Sequence, residues 1–377
     1  MKKILVFGMT ENPGGIESVI INYYRKIDKN KFQFDFLTNA KQIAYQEEIE
    51  TLGGKIYNVV SKRENYFKYK RDIKNFFEEH SNEYDAIWMN VCNLNNIDYI
   101  KYAKKYGIKK RIIHAHNSKN MGESIKLKLY NYILHSKNKK SIKKYATDYW
   151  TCSKSAGEFF YSIDIRKLKT YKIINNAIDT QKYEYNENTR KIYRENLNCS
   201  NKLVIGNIGR LNFQKNQNFI IDIFDKLNKD DDRYYLILVG QGEDEEKLKQ
   251  KVKDLNLNNK VLFMGVRKDI GKILQAMDLF LFPSKFEGLP VTLIEAEASG
   301  IDIVTSKEAF PSSVKLPKNV KQISLNQDID CWVKEIKNIC MKSSDRSVAS
   351  TKNIEFIKLE EYDINEEVRK MENFFEN

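Results

Sequence analysis

Two glutamates eight residues apart, Glu287 and Glu295, stand in the run Pro283-Ser284-Lys285-Phe286-Glu287-Gly288-Leu289-Pro290-Val291-Thr292-Leu293-Ile294-Glu295-Ala296. An apolar strand reads up to Pro283, a loop follows, and a helix is predicted to begin near Val291. The first N–H groups of a helix have no intrahelical acceptor, so those of Leu289, Val291 and Thr292 would offer a seat for a diphosphate at the positive helix end. Pro290 has no donor to lose and suits the first turn. Two carboxylates flanking that seat can accept hydrogen bonds from hydroxyl groups on either side of a diphosphate. A lone glutamate at a helix start is commonly only solvated. The spaced pair on a strand–loop–helix is what points to chemistry.

A second segment, Gly206-Asn207-Ile208-Gly209-Arg210-Leu211-Asn212-Phe213-Gln214-Lys215-Asn216, carries two cations after a strand and a glycine turn. Arg210 could grip a diphosphate as a fork and Lys215 as a point charge. Taken alone, that spacing means no more than surface charge. Of four histidines, His114 and His116 lie on one predicted strand and share a face, with Ala115 opposite. His116 is nearer the loop and is the candidate for the site. A paired-histidine metal centre would need further ligands, which are not found. Gly240-Gln241-Gly242 lacks the third glycine of a dinucleotide fingerprint and is followed by acidic residues, so it is set aside.

The elements that must position these groups repeat in two halves. Short apolar runs extend from Ile4–Phe7 to Tyr171–Ile174 in the first half and from Leu203–Ile208 to Val320–Ile323 in the second, with helix-like stretches between. That alternation predicts parallel sheets with right-handed crossovers, hence two doubly wound α/β domains. The predicted division is 1–185, 186–359 and a C-terminal helix over 360–377 packing back on the first domain. Thr180–Ser200 reads as a polar linker. In the tail, Ile364, Val368, Met371 and Phe375 recur at helical spacing. The start, Met1-Lys2-Lys3 before Ile4–Phe7, reads as a first buried strand rather than a signal peptide, because no small-x-small pattern follows.

In order and spacing, Arg210 with Lys215, Leu238-Val239-Gly240-Gln241-Gly242, Val261-Leu262-Phe263-Met264-Gly265 and Glu287 with Glu295 resemble glycosyltransferase family four, retaining enzymes of the GT-B fold. Asn12-Pro13-Gly14-Gly15-Ile16-Glu17, His114-Ala115-His116-Asn117 and Ile174-Asn175-Asn176-Ala177-Ile178-Asp179 extend the likeness over nearly the whole chain. It is most similar to bacterial enzymes of capsular and exopolysaccharide assembly. Gly300-Ile301-Asp302 departs from the proline common there. The resemblance implies two Rossmann-like domains facing a central cleft, and a nucleotide-sugar donor, a UDP-sugar by expectation. Arg210 and Lys215 would hold its diphosphate, Glu287 the sugar hydroxyls, Glu295 the ribose, and the backbone at Val266 and Arg267 the base. Gly14 and Gly15 would let a first-domain loop approach the phosphates or the acceptor, and His116 would sit near the sugar. The cations would replace the metal that other transferases hold, so neither a metal nor a cofactor is expected.

Charge bounds the partners. The chain carries 64 Lys and Arg against 51 Asp and Glu. The surplus is confined to residues 1–185, and stretch 101–150 holds 14 basic and 2 acidic residues. Twelve of them are Lys104, Lys105, Lys109, Lys110, Arg111, Lys126, Lys128, Lys137, Lys139, Lys140, Lys143 and Lys144, interrupted by Tyr130, Tyr132, Ile133 and Leu134. An anionic membrane surface, met through 101–144 beside a glycan or lipid-diphosphate-linked acceptor, is the expected partner. No nucleic-acid motif accompanies the basic stretch. The five cysteines are scattered, as in a reducing compartment, and no run of 18 apolar residues exists. A cytoplasmic enzyme, peripheral on the inner face of the plasma membrane, is the expectation. A nucleotide-sugar 2-epimerase of similar fold and a non-catalytic subunit are the alternatives.

Overall fold

The computed structural model describes residues 1–11, 13–117, 125–287, 291–309, 317, 319–341 and 345–377, without the side chains of 125–128. The described chain divides into two units, Met1–Ala177 with Ile364–Asn377, and Ile178–Asp363. Each is a doubly wound parallel α/β domain, and together they give the GT-B type of architecture.

The first unit holds β1 (Lys2–Phe7), β2 (Phe32–Thr38), β3 (Ile56–Asn58), β4 (Ala86–Val91), β5 (Lys110–Ala115), β6 (Asp148–Thr151) and β7 (Tyr171–Ile173). They form one sheet in the order β3-β2-β1-β4-β5-β6-β7, every pair parallel. The second unit holds β8 (Leu203–Ile208), β9 (Tyr234–Val239), β10 (Val261–Phe263), β11 (Leu279–Phe282), β12 (Asp302–Ser306) and β13 (Val320–Ile323). Their order is β10-β9-β8-β11-β12-β13, again all parallel. Helices cover both faces of such sheets, so the central strands are apolar throughout: all six residues of β4 and all four of β11 are buried. Strand order reverses between β1 and β4 and between β8 and β11. At such a switch point the connections leave in opposite directions and open a crevice at the carboxyl ends.

The crevice of the first sheet is tight. Gly8 follows β1 at φ +130°, and a Cβ there would stand 2.6 Å from the carbonyl oxygen of Asn90 on β4. Only glycine permits both the backbone conformation and the approach.

Two boundaries differ from the sequence reading. The first unit ends at Ala177 rather than 185, and Thr180–Ser200 is no linker. It contains the helix Glu187–Asn196, started by Asn186 Oδ1 accepting the N–H of Thr189 at 2.8 Å. The polar composition misleads because arginine does the packing. Arg194 donates to Ala276 O at 2.9 Å and to Asp278 Oδ2 at 3.0 Å, and Arg190 binds the other oxygen of Asp278. Tyr193, Leu197 and Cys199 join the core of the second unit. The tail helix, Ile364–Glu376, returns to the first unit with Ile364, Val368, Met371 and Phe375 buried. Phe375 meets Phe32, Phe34 and Trp150 with ring centroids 6.2–6.4 Å apart. Phe375→Ala should therefore cost about 3–5 kcal/mol, read as a shift of the urea midpoint with an unchanged slope.

Candidate functional site

At the switch point of the second sheet, the loop after β8 is shaped by short polar side chains. Asn212 Oδ1 accepts the N–H of Lys215 at 3.1 Å, and Asn216 takes the left-handed conformation (φ 59°) that admits the helix Gln217–Asp230. Gln217 secures the loop by donating to Asn207 Oδ1 at 3.2 Å and to Arg210 O at 3.1 Å. Beside it, a Cβ on Gly240 would fall 2.1 Å from Gly209 O, at φ +128°, so β9's exit loop closes on β8's only because residue 240 is glycine.

The result is that Lys215 reaches the loop after β11. Its Nζ lies 2.7 Å from Glu287 Oε1, the two side chains being 15% and 6% exposed, and stands 4.7 Å from the Phe282 ring centroid. Gln214 doubles the link. Its Nε2 donates to Glu287 Oε2 at 3.2 Å and to Phe286 O at 2.9 Å, while its carbonyl accepts the N–H of Lys285 at 2.9 Å. The N–H of Glu287 is bound to Ala309 O at 3.1 Å. A lysine and a glutamate so enclosed hold each other's charge and leave a cation and an anion presented side by side. Gln214 was not singled out in the sequence, where one glutamine in a polar run carries no signal.

Arg210 does not join that pair. Its Nε is 3.0 Å from Glu243 Oε2, with the arginine side chain 68% exposed. Leu289 lies outside the described residues. Val291 begins the helix Val291–Ala298 and is buried, with Thr292 beside it. Glu295 is buried one turn inside and accepts a 2.7 Å hydrogen bond from Tyr183 Oη. Desolvation pushes its carboxyl up to about 7, and the tyrosine bond opposes part of that rise. Glu297, absent from the sequence reading, is also buried, and desolvation pushes it up to about 8. Its EAEA context gave no sign that both carboxyls would be enclosed. Val266 is exposed in the loop after β10, and Arg267 is turned onto Asp269, with bonds of 2.8 and 2.7 Å.

In the first unit, His116 follows β5 and its Nε2 lies 2.8 Å from Asn90 Oδ1, the residue that faces Gly8. Desolvation drives its imidazole down to about 3, so it is neutral at ordinary pH. His114 is fully enclosed, with Trp88 Nε1 donating to its Nδ1 at 3.3 Å. Of the two, only His116 is partly exposed. Gly14 caps the helix Gly15–Lys26, and a Cβ on Gly15 would meet nothing within 4 Å.

Among the described residues no group of three or more acidic, histidine or cysteine side chains could hold a metal. Two Asp-x-Asp triplets occur, and Asp230, Asp328 and Asp330 in them are engaged structurally. In Asp230-Asp231-Asp232, Asp230 pairs with Lys337 and Asp231 with Arg233. In Asp328-Ile329-Asp330, Asp328 caps the helix Ile329–Cys340 and Asp330 pairs with Lys226 at 2.6 Å.

Residues 188–352, which contain the Lys215–Glu287 pair, match the family model "Glycosyl transferases group 1". The match covers 165 of the 377 residues and is a likeness of that stretch to the family. It is 28% identical over 346 residues to the protein named "Putative glycosyltransferase EpsF" of Bacillus subtilis (strain 168), covering 89% of this chain and 87% of that one. A Campylobacter jejuni enzyme named N,N'-diacetylbacillosaminyl-diphospho-undecaprenol alpha-1,3-N-acetylgalactosaminyltransferase is 29% identical over 187 residues, 49% of this chain and 48% of that one. In fold, the chain is similar to Anabaena Alr3699/HepE solved with UDP and glucose, with a TM-score of 0.79 at 19% identity and full coverage of both chains.

The buried carboxyls have a consequence for stability. An unfolded glutamate ionises from about pH 4.5, whereas Glu295 and Glu297 keep their protons in the fold until about 7 and 8. The folded state then binds more protons, so stability falls as pH rises through that window. Glu297→Gln should shrink the loss of melting temperature between pH 5 and pH 8.5, as read by thermal denaturation at both values.

Proposed function

We propose that this chain is a group 1 glycosyltransferase that moves a hexosyl or N-acetylhexosaminyl group from a UDP-sugar to a glycan or lipid-diphosphate-linked acceptor in bacterial surface polysaccharide assembly. The observation that carries the reading is the enclosed Lys215–Glu287 pair, 2.7 Å apart on two loops of one switch point. A donor diphosphate entering there would take Lys215 from the carboxylate. Glu287 would then be free to accept hydrogen bonds from sugar hydroxyls, so one ion pair is exchanged for contacts to both ends of the scissile bond. Arg210, on its exposed rim, would swing from Glu243 to the same phosphates and stabilise the leaving nucleoside diphosphate. The N–H groups at Leu289, Val291 and Thr292 would add the helix end. Glu295 would contact the ribose, and Val266 and Arg267 the base. Gly14, Gly15 and a neutral His116 would serve the sugar and acceptor from the first unit.

The nucleotide is supported by the UDP and glucose in the HepE structure. The lipid-linked acceptor is supported by the undecaprenol-diphosphate names of the Campylobacter relative and of an Escherichia coli alpha-1,3-galactosyltransferase 32% identical over 141 residues. Such an acceptor lies in a membrane, which suits action at the cytoplasmic face of a bilayer.

Lys215→Ala should lower kcat/KM for the donor by about 2–5 kcal/mol in transition-state terms with the melting temperature retained. Wild-type turnover at subsaturating donor would remove Lys215 from the clamp. The cationic clamp takes the place of a metal, so transfer should survive EDTA. Proton NMR of fresh product from that reaction should show the donor's anomeric configuration retained, and inversion would assign another mechanism.

A further inference from the structure

The helix Ile125–Ser141 of the first unit is built inside out. Its inward side carries Asn131, His135, Asn138 and Lys139, and the last three are spent on backbone. His135 Nδ1 accepts the N–H of Leu94 at 3.1 Å, and its Nε2 lies 3.2 Å from Phe159 O. Asn138 Nδ2 donates to Leu94 O at 2.5 Å, and Lys139 Nζ to Glu158 O at 2.8 Å. The outward side carries Leu129, Tyr130, Tyr132 and Ile133, each more than half exposed. Ordinary surface helices bury the apolar side and solvate the polar one. Four large apolar side chains within five residues are a patch. One and two turns on, the same outward face continues as the exposed Lys137 and Lys140.

A second element stands beside it. The loop after β4 that binds His135 and Asn138 also binds the helix Tyr66–His80, through Asn96 Nδ2 to Tyr69 Oη at 2.8 Å and Asp98 to Lys70 at 2.9 Å. At the start of that helix Tyr66 is half exposed and Phe67 is 84% exposed. Lys62 and Lys70 lie near the Tyr66 ring. Both elements thus combine exposed apolar groups with lysines around one loop.

We propose that the first unit docks on an anionic phospholipid bilayer through this surface. Leu129, Tyr130, Tyr132, Ile133 and Phe67 enter the headgroup boundary, and Lys137 and Lys140 meet lipid phosphates. Charge selects the occupant: the exposed Lys137 and Lys140 continue the apolar face, so a second copy would set lysine against lysine, whereas anionic headgroups complement them. The inference deepens the lipid-linked acceptor reading, but it is tested without any sugar substrate, so the two fail separately.

The full chain is sedimented with phosphatidylcholine vesicles, with and without phosphatidylglycerol, across a salt series. Binding should require phosphatidylglycerol and weaken with salt. The double change Leu129→Ser with Ile133→Ser should lower the partition coefficient about tenfold or more, as should Lys137→Glu with Lys140→Glu. Leu359→Ser, equally apolar and exposed but in the other unit, should change nothing and serves as the control. Phe67→Ser supplies a variant on the second element if the double change disturbs folding. Equal binding with and without phosphatidylglycerol, or wild-type binding by the variants, would overturn the proposal. So would lipid-free self-association, by sedimentation velocity, that the same variants abolish.

Discussion

Reversal of strand order at the middle of each sheet is the constraint on which the rest of this protein depends. Where β1 neighbours β4 and β8 neighbours β11, consecutive connections depart in opposite directions and cannot fill the space above the strand ends. The groups able to do chemistry hang on those ends. Gly8 and His116 follow β1 and β5, Asn90 is the next-to-last residue of β4, and Lys215 and Glu287 follow β8 and β11. Close approach at these points is enforced by glycine, since a side chain at 8 or 240 would collide with backbone oxygen. Position in the fold, more than the identity of any one residue, is what makes the sites.

The second site carries more buried charge than stability alone would select. An enclosed ion pair such as Lys215–Glu287 recovers only part of its desolvation cost, and an apolar pair of similar volume would often serve the fold better. Nearby, Glu295 and Glu297 are buried in a helix where alanine or leucine would pack without a proton to carry. Strain of this kind is retained where a ligand reclaims it. The ion pair holds the two loops together. By contrast, the Arg210 side chain is exposed and pairs with Glu243 on the rim.

Much of this was legible because parallel sheets write themselves plainly. Central strands buried on both faces must be continuous apolar runs, and Leu203–Ile208 and Leu279–Phe282 read to the residue, as did the edge strand Val320–Ile323. The tail helix was equally legible, its four apolar positions lying on one face. What failed was composition used as a guide to packing. The segment 180–200 looked like a linker because its contacts are made by Arg190 and Arg194 through long polar side chains onto Asp278 and carbonyl groups. Among the site residues, the carboxylate spacing and Lys215 could be read from sequence. The pairing of Lys215 with Glu287 rather than with Arg210 could not, because it depends on two loops 72 residues apart meeting in space. Glu297 was invisible for the same reason: burial of a helix residue is decided by its neighbours.

The helix Ile125–Ser141 shows the same limit in reverse. Its apolar residues sit at spacings that suit a core, and its net periodicity is weak, so sequence cannot say which side faces in. Hydrogen bonds decide. Once His135 and Asn138 satisfy the backbone of the loop after β4, and Lys139 the end of the helix Lys154–Phe160, the rotation of the helix is fixed. Turning Leu129 and Ile133 inward would strand those loop groups without partners, at about 1–3 kcal/mol for each buried group left unpaired. The lysines divide likewise: Lys139, Lys104 and Arg111 are spent on carbonyl oxygens, and Lys143 on Asp164. The basic surplus of the first unit is therefore partly internal wiring. The part that reaches solvent beside the apolar face, Lys137 and Lys140, is small and placed where that face leads.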